Sequence, residues 1–157
     1  MFEVEPIGYV RGGRTSPEDD SWGGTRVTIE LASAMPDDSL AGIEDFSHLE
    51  IVYYFDQVDP SRVVTGARHP RNNTDWPVVG IFAQRGKNRP NRIGCTIVRL
   101  IGHSERSILV EGLDAIDGTP VLDIKPVFAE YLPDGPVTQP EWSHEVMRDY
   151  WASAEGD

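Results

Sequence analysis

Four cations, Arg85, Lys87, Arg89 and Arg92, stand within eight residues, between an apolar run over residues 78–83 and another over residues 95–101. Guanidinium forks and ammonium groups at that density, on a loop that also presents backbone N–H groups, suit a phosphate or carboxylate ligand. A second cluster is Asp114-Ala115-Ile116-Asp117-Gly118-Thr119-Pro120-Val121-Leu122-Asp123, in which carboxylates and a hydroxyl flank a glycine turn. Such groups accept hydrogen bonds from a ribose diol, an ammonium or an exocyclic amine. Each cluster also has a plain reading, a solvated basic hairpin for the first and an Asp-Gly turn with strand-end charges for the second.

Several familiar sites are excluded by spacing. Gly80-x5-Gly86-Lys87-Asn88 has one residue too many for a phosphate-binding P-loop and lacks the hydroxyl after the lysine. No Gly-x-Gly-x-x-Gly follows a strand pattern, so a Rossmann cofactor site is not supported. His48, His69, His103 and His144 are scattered, and no metal site is expected. Cys95 is the single cysteine, which rules out an intrachain disulfide and reads as a buried structural thiol.

At 157 residues the chain is long enough to bury one core. No apolar run reaches the roughly 18 residues of a membrane helix, and acidic residues near the start argue against a signal peptide. A soluble cytoplasmic protein is expected, without a membrane partner. The net charge is −12, yet nine of the 14 basic residues and only two acids lie between Arg62 and Arg106, a local net of +7. A basic window on an acidic body favours a defined anionic ligand, or nucleic acid held by a patch, over general polyanion binding.

The elements that must position these groups are mostly strands. Strands are expected over residues 3–10, 26–31, 49–55, 78–83, 95–101, 107–112 and 121–124, with the β-prone 49–55 run central. A short helix over residues 39–46 and another within 141–152 complete the reading, the latter with Trp142, Val146 and Tyr150 four apart. Long polar segments at 11–24 and 56–77 are candidate functional loops. The fold class is mostly β, a single-domain closed or nearly closed barrel with one or two short helices.

Together, Gly80-Ile81-Phe82-Ala83-x-Arg85-x3-Arg89-Pro90-Asn91-x-Ile93-Gly94 and Asp117-Gly118-Thr119-Pro120-Val121-Leu122-Asp123-Ile124-Lys125-Pro126 resemble the TsaA-like family of TrmO-type S-adenosylmethionine-dependent tRNA methyltransferases. Ile7-Gly8 and Phe46-Ser47-His48-Leu49 fit in the same order. The resemblance runs from about residue 7 to residue 131, giving a barrel domain over 1–131 and an extension with a short helix over 132–157.

The resemblance implies a homodimeric barrel that binds S-adenosyl-L-methionine and methylates the N6 nitrogen of N6-threonylcarbamoyladenosine beside the tRNA anticodon. It implies cofactor contacts from Asp56, Gln57, Gln84, Arg85, Leu113, Asp117, Gly118 and Thr119. Lys87, Arg89 and Arg92 would face the substrate, and Asn91 would fix the loop or face it too. The group that takes up the proton stays open among Asp117, Asp123 and Asp56, with Asn91 a further catalytic candidate. Gln84-Arg85-Gly86-Lys87 stands where the family commonly has Thr-Arg-Ser-Pro, and Arg92 where it has proline. Those extra cations keep a small anionic substrate or another RNA in view, beside a non-catalytic S-adenosylmethionine-binding module.

Overall fold

Alternating β-branched and polar residues send one side chain into a core and the next to solvent, and that pattern builds the wall of this molecule. The computed structural model describes residues 1–153. Its strands are β1 (Gly8–Arg11), β2 (Arg26–Leu31), β3 (His48–Tyr54), β4 (Ala67–Arg68), β5 (Val79–Gly80), β6 (Ile93–His103), β7 (Ser107–Glu111) and β8 (Pro120–Pro126). Six of them pair antiparallel in the closed order β1, β2, β7, β6, β3, β8. The ring closes through a short seam, Gly8 opposite Val121 and Tyr9 opposite Pro120. Two further bonds extend it, Ile7 N–H to the Val121 carbonyl (2.8 Å) and Val10 N–H to the Thr119 carbonyl (2.9 Å). The expectation of a mostly-β, closed or nearly closed barrel agrees with this architecture.

Val10, Ile29, Leu49, Ile51, Val98, Ile108, Val110, Leu113 and Val121 fill the interior and are almost wholly buried. Each such side chain contributes about 1.5–3 kcal/mol by leaving water. β3 is paired along its length on both sides, to β6 and to β8, as its β-prone composition predicts.

Three local expectations change. The helix expected over 39–46 is only a 3-10 turn at Ile43–Asp45, because Gly42 turns left-handed (φ 86°) directly before it. The strand expected over 78–83 shrinks to β5, which pairs with β4, and Ile81–Ala83 forms a 3-10 turn. Phe82 is 78% exposed there, so its hydrophobicity is not a sign of a buried face. The basic stretch is therefore not a hairpin between its own flanking strands; β6 pairs with β3 and β7 instead. The C-terminal helix α1 (Glu141–Val146) ends before Tyr150, which is reached by turns.

Register decides which loops meet. Tyr54 pairs with Ile93, Tyr53 with Val121, Tyr9 with Pro120 and Arg26 with Glu111. One rim of the barrel therefore carries the segments 12–25, 55–92 and 112–119. They are joined to one another: Arg71 Nη2 meets Asp20 Oδ1 at 3.0 Å, and the Asp117 N–H donates to the Arg14 carbonyl at 2.9 Å.

Candidate functional site

The 112–119 loop is shaped by its own chemistry. Gly112 and Gly118 take left-handed φ values of 90° and 85°, open to glycine without strain. Gly118 N–H donates to the Val10 carbonyl (2.8 Å), and the Thr119 hydroxyl to the Ile116 carbonyl (2.7 Å). Asp117 Oδ1 accepts from Gly12 N–H at 2.9 Å, while the residue remains exposed. Leu113 points into the core and Thr119 is buried.

Asp114, between them, is a hub. Its Oδ1 accepts from the Tyr53 hydroxyl (2.9 Å) and the Thr96 hydroxyl (2.5 Å), and its Oδ2 from the Tyr150 hydroxyl. Burial first, then the Asp114 charge, push both phenols far above the ordinary tyrosine range, so they stay protonated donors. Arg85 opposes that rise at Tyr53, which places its charge near the same cluster.

The basic loop divides by what each cation already holds. Arg85 is exposed and donates through Nη2 to the Cys95 carbonyl (2.9 Å). Arg89 Nη1 donates to the Gln84 carbonyl (2.7 Å), and Gln84 in turn donates to the Arg68 and Val79 carbonyls, locking β4 and β5. Arg92 donates to the Val58 carbonyl (2.9 Å) and to the Tyr54 hydroxyl, with its guanidinium 4.8 Å from that ring's centre. Asn91 and Arg92 both take positive φ, 62° and 49°, so the Pro90–Arg92 turn is strained for side-chain-bearing residues. The Lys87 ammonium has no ion-pair or hydrogen-bond partner among the described residues.

Asp56 and Gln57 leave the end of β3 on this same rim, exposed and bonded to each other (3.2 Å). Asp123 is not brought there. It lies within β8 opposite Val52, and its carboxylate is taken up by the Ile124 N–H (2.9 Å) and Lys125 (2.8 Å).

An open cleft of about 560 Å³ lies beside the Asp117 loop, lined by Gly13, Arg14, Gly23, Gly24, Thr25, Arg26 and Ser153. The Thr25 hydroxyl oxygen is buried without a hydrogen-bond partner among the described residues. Arg14 frames the cleft by stacking 3.6 Å over Trp22 and donating to the Asp20 and Ser21 carbonyls (3.0 and 2.6 Å). Asp56, Arg85 and Asp117 stand on segments of the same rim, and none of the three lines this cleft.

No local pattern points to Tyr53, Thr96 and Tyr150 around Asp114, nor to the Arg14–Trp22 stack. Asp114 itself stood inside the second cluster, three residues before Asp117. The remaining partners come from elements distant along the chain.

A small antiparallel barrel with its long polar loops gathered on one rim is thus the class of protein defined here. Residues 15–132 match the model of the tRNA-methyltransferase O N-terminal domain family, and the chain belongs to that family. It is 44% identical over 149 residues to an Escherichia coli tRNA (adenine(37)-N6)-methyltransferase, covering 85% of this chain and 61% of that protein. A probable S-adenosyl-L-methionine-binding protein of Archaeoglobus fulgidus is 35% identical over 130 residues, with 80% and 34% covered. A crystal structure of TrmO from Pseudomonas aeruginosa superposes with a TM-score of 0.72 at 30% identity, covering 90% of this chain and 62% of that one. The chain spans about a third of the length of the rat, mouse and human proteins it matches.

Proposed function

We propose that this protein is an S-adenosylmethionine-dependent methyltransferase that modifies the N6 nitrogen of adenine 37 in tRNA, with N6-threonylcarbamoyladenosine as the acceptor. The observation that carries the reading is the convergence of the Asp56, Arg85 and Asp117 segments on one rim of a barrel whose family is that of tRNA-methyltransferase O. S-adenosylmethionine, when bound, supplies an electrophilic methyl group, so the protein's task is alignment and water exclusion.

Asp117 and Asp56 offer carboxylate oxygens to an ammonium or ribose, and Arg85 offers N–H groups to a carboxylate. Gln57, Gln84, Leu113, Gly118 and Thr119 shape the wall around them. Asp114 is saturated by three hydroxyls and Asp123 lies off this rim, so among the three candidate bases Asp56 and Asp117 are the ones placed to take the acceptor's proton. Lys87 and Arg89 extend the basic window towards phosphates, and Asn91 with Arg92 holds the turn that presents them. The reading includes a cytoplasmic homodimer. Exposed Ile93 and Ile97, four apart on β6, give it an apolar contact face.

The test is transfer of labelled methyl from S-adenosylmethionine to two tRNAs, one carrying N6-threonylcarbamoyladenosine and one transcribed without it. Methylation of the first alone is expected. Methylation of both would remove the threonylcarbamoyl requirement. Donor binding without transfer to either would leave a binding module and overturn the enzyme.

A further inference from the structure

The segment from α1 to residue 153 lies outside the family-matched residues 15–132, yet it returns to the functional rim. The Trp76 indole donates to Glu145 Oε2 at 2.9 Å. Main-chain bonds then run along the 21–23 loop: Ser21 N–H to Asp149 (3.0 Å), Trp22 N–H to Tyr150 (2.8 Å) and Gly23 N–H to Ala152 (3.0 Å). Gly23 is fitted to this docking, since a Cβ there would lie 2.1 Å from the Trp151 carbonyl oxygen. The segment so held delivers the Tyr150 hydroxyl to Asp114, with the Tyr150 ring packed edge-on against Trp151 at 4.9 Å.

The consequence falls on one carboxylate. Tyr53 and Thr96 both bond Oδ1 of Asp114, and Tyr150 bonds Oδ2. Tyr150 therefore fixes the rotation of the carboxylate at the head of the 113–119 loop, where Leu113 and Ala115 are already buried on either side. Three residues on, that loop presents Asp117 beside the cleft, and Ser153 of the same returning segment lines it.

We infer that Tyr150 is a positioning residue for the methyl-donor site: the chain's own C-terminal segment sets the Asp114 carboxylate and, through it, the loop carrying Asp117. The inference rests on the S-adenosylmethionine reading above. Its rival from the same contacts is a plug, in which the segment occupies the rim and must leave before a ligand enters.

Titration calorimetry with S-adenosylmethionine on the full chain, Tyr150→Phe, Gly23→Ala and the double variant decides between them. Tyr150→Phe keeps the ring packing and removes only the hydroxyl, so its fold is safe if Gly23→Ala proves unstable. Each single variant is expected to bind about tenfold more weakly, the scale of one hydrogen bond to a charged group. The double variant is expected to bind no more weakly than Gly23→Ala alone, because both break one linkage. Hydrogen exchange at the Asp117, Gly118 and Thr119 amides should quicken in Tyr150→Phe while β3 amides keep their protection, which general destabilisation would not produce.

Tighter binding by either single variant overturns positioning in favour of the plug. Unchanged binding by Tyr150→Phe reduces the segment to packing. No binding by the unaltered chain defeats the methyl-donor reading and this inference with it, a result read on a different sample from the other two.

Discussion

Gly94 lies directly against the ring of Tyr53: a Cβ added to Gly94 would sit 2.6 Å from Tyr53 Cζ and 2.8 Å from Phe55 Cζ. The two residues are opposite each other in the β3–β6 register, and Tyr53 and Phe55 pack edge to face at 5.3 Å. The absent side chain is what lets Tyr53 lie inside the barrel and reach Asp114. Gly94→Ala should therefore destabilise by about 1–3 kcal/mol, the usual cost of overpacking. For a chain of this size that lowers the melting temperature by about 3–10 °C. Gly102→Ala on the same strand meets nothing within 4 Å and should stay within about 0.5 kcal/mol. Paired thermal melts check the difference, and equal shifts would show that the Tyr53 contact is not what Gly94 serves.

Gly94 also shows how far the sequence could be read. β2 and β3 were legible because alternation along Arg26–Leu31 and the β-branched, aromatic run before Asp56 reflect a wall with one wet face. β5 was overestimated because Phe82 is apolar without being buried, and the 39–46 helix because nothing in the pattern showed that Gly42 would turn left-handed. Asp117, Gly118 and Arg85 could be singled out from motifs. The Asp114 hub could not. Tyr53 reaches it across 61 residues, and Tyr150 across 36 from a tail whose spacing suggested a helix face. Such contacts depend on register and docking, which no local pattern encodes.

Cys95 makes a pH prediction. Its thiol donates to Glu50 Oε1 at 2.9 Å, and burial, followed by that bond and the Glu50 charge, pushes its pKa up to about 11. A raised thiol pKa keeps the protonated, unreactive form through neutral pH, so at pH 8 only about one thiol in a thousand is ionised. Alkylation by iodoacetamide should be slow at pH 8 and climb tenfold per pH unit towards 11. Glu50→Gln removes the charge that raises the pKa and should speed alkylation several-fold at pH 8. A rate unchanged by that substitution would place the cause elsewhere.

Tyr53 predicts the alkaline limit of the fold. Its pKa is raised above the ordinary value of 10.0, first by burial and then by Asp114, so ionisation is favoured in the unfolded chain. The stability it contributes is complete below pH 10 and is lost as pH climbs beyond, by up to about 1.4 kcal/mol per pH unit. Tyr53→Phe abolishes that titration. It should lower stability at pH 7 through the lost hydrogen bond, yet flatten the decline between pH 10 and 11.5. Denaturant unfolding at both ends of that range checks the slope, and parallel slopes in the two proteins would assign the alkaline loss to other groups.

Arg85 carries the sharpest test of the site. It is exposed, it holds the Cys95 carbonyl through one nitrogen, and its charge acts on both Tyr53 and Cys95. Its other N–H groups remain to grip a ligand carboxylate, a bond of about 1.5–3 kcal/mol when charge-assisted. Arg85→Ala should weaken S-adenosylmethionine binding about tenfold or more, and Arg85→Lys should restore only part of it because an ammonium lacks the planar fork. The same Arg85→Ala protein gives an internal control. Losing a cation that lowers the Cys95 pKa should slow alkylation of that thiol further, whatever the ligand does. Slower alkylation with unchanged affinity would leave the guanidinium where the structure puts it and remove it from the cofactor's contacts. Unchanged alkylation would instead question its position beside β6.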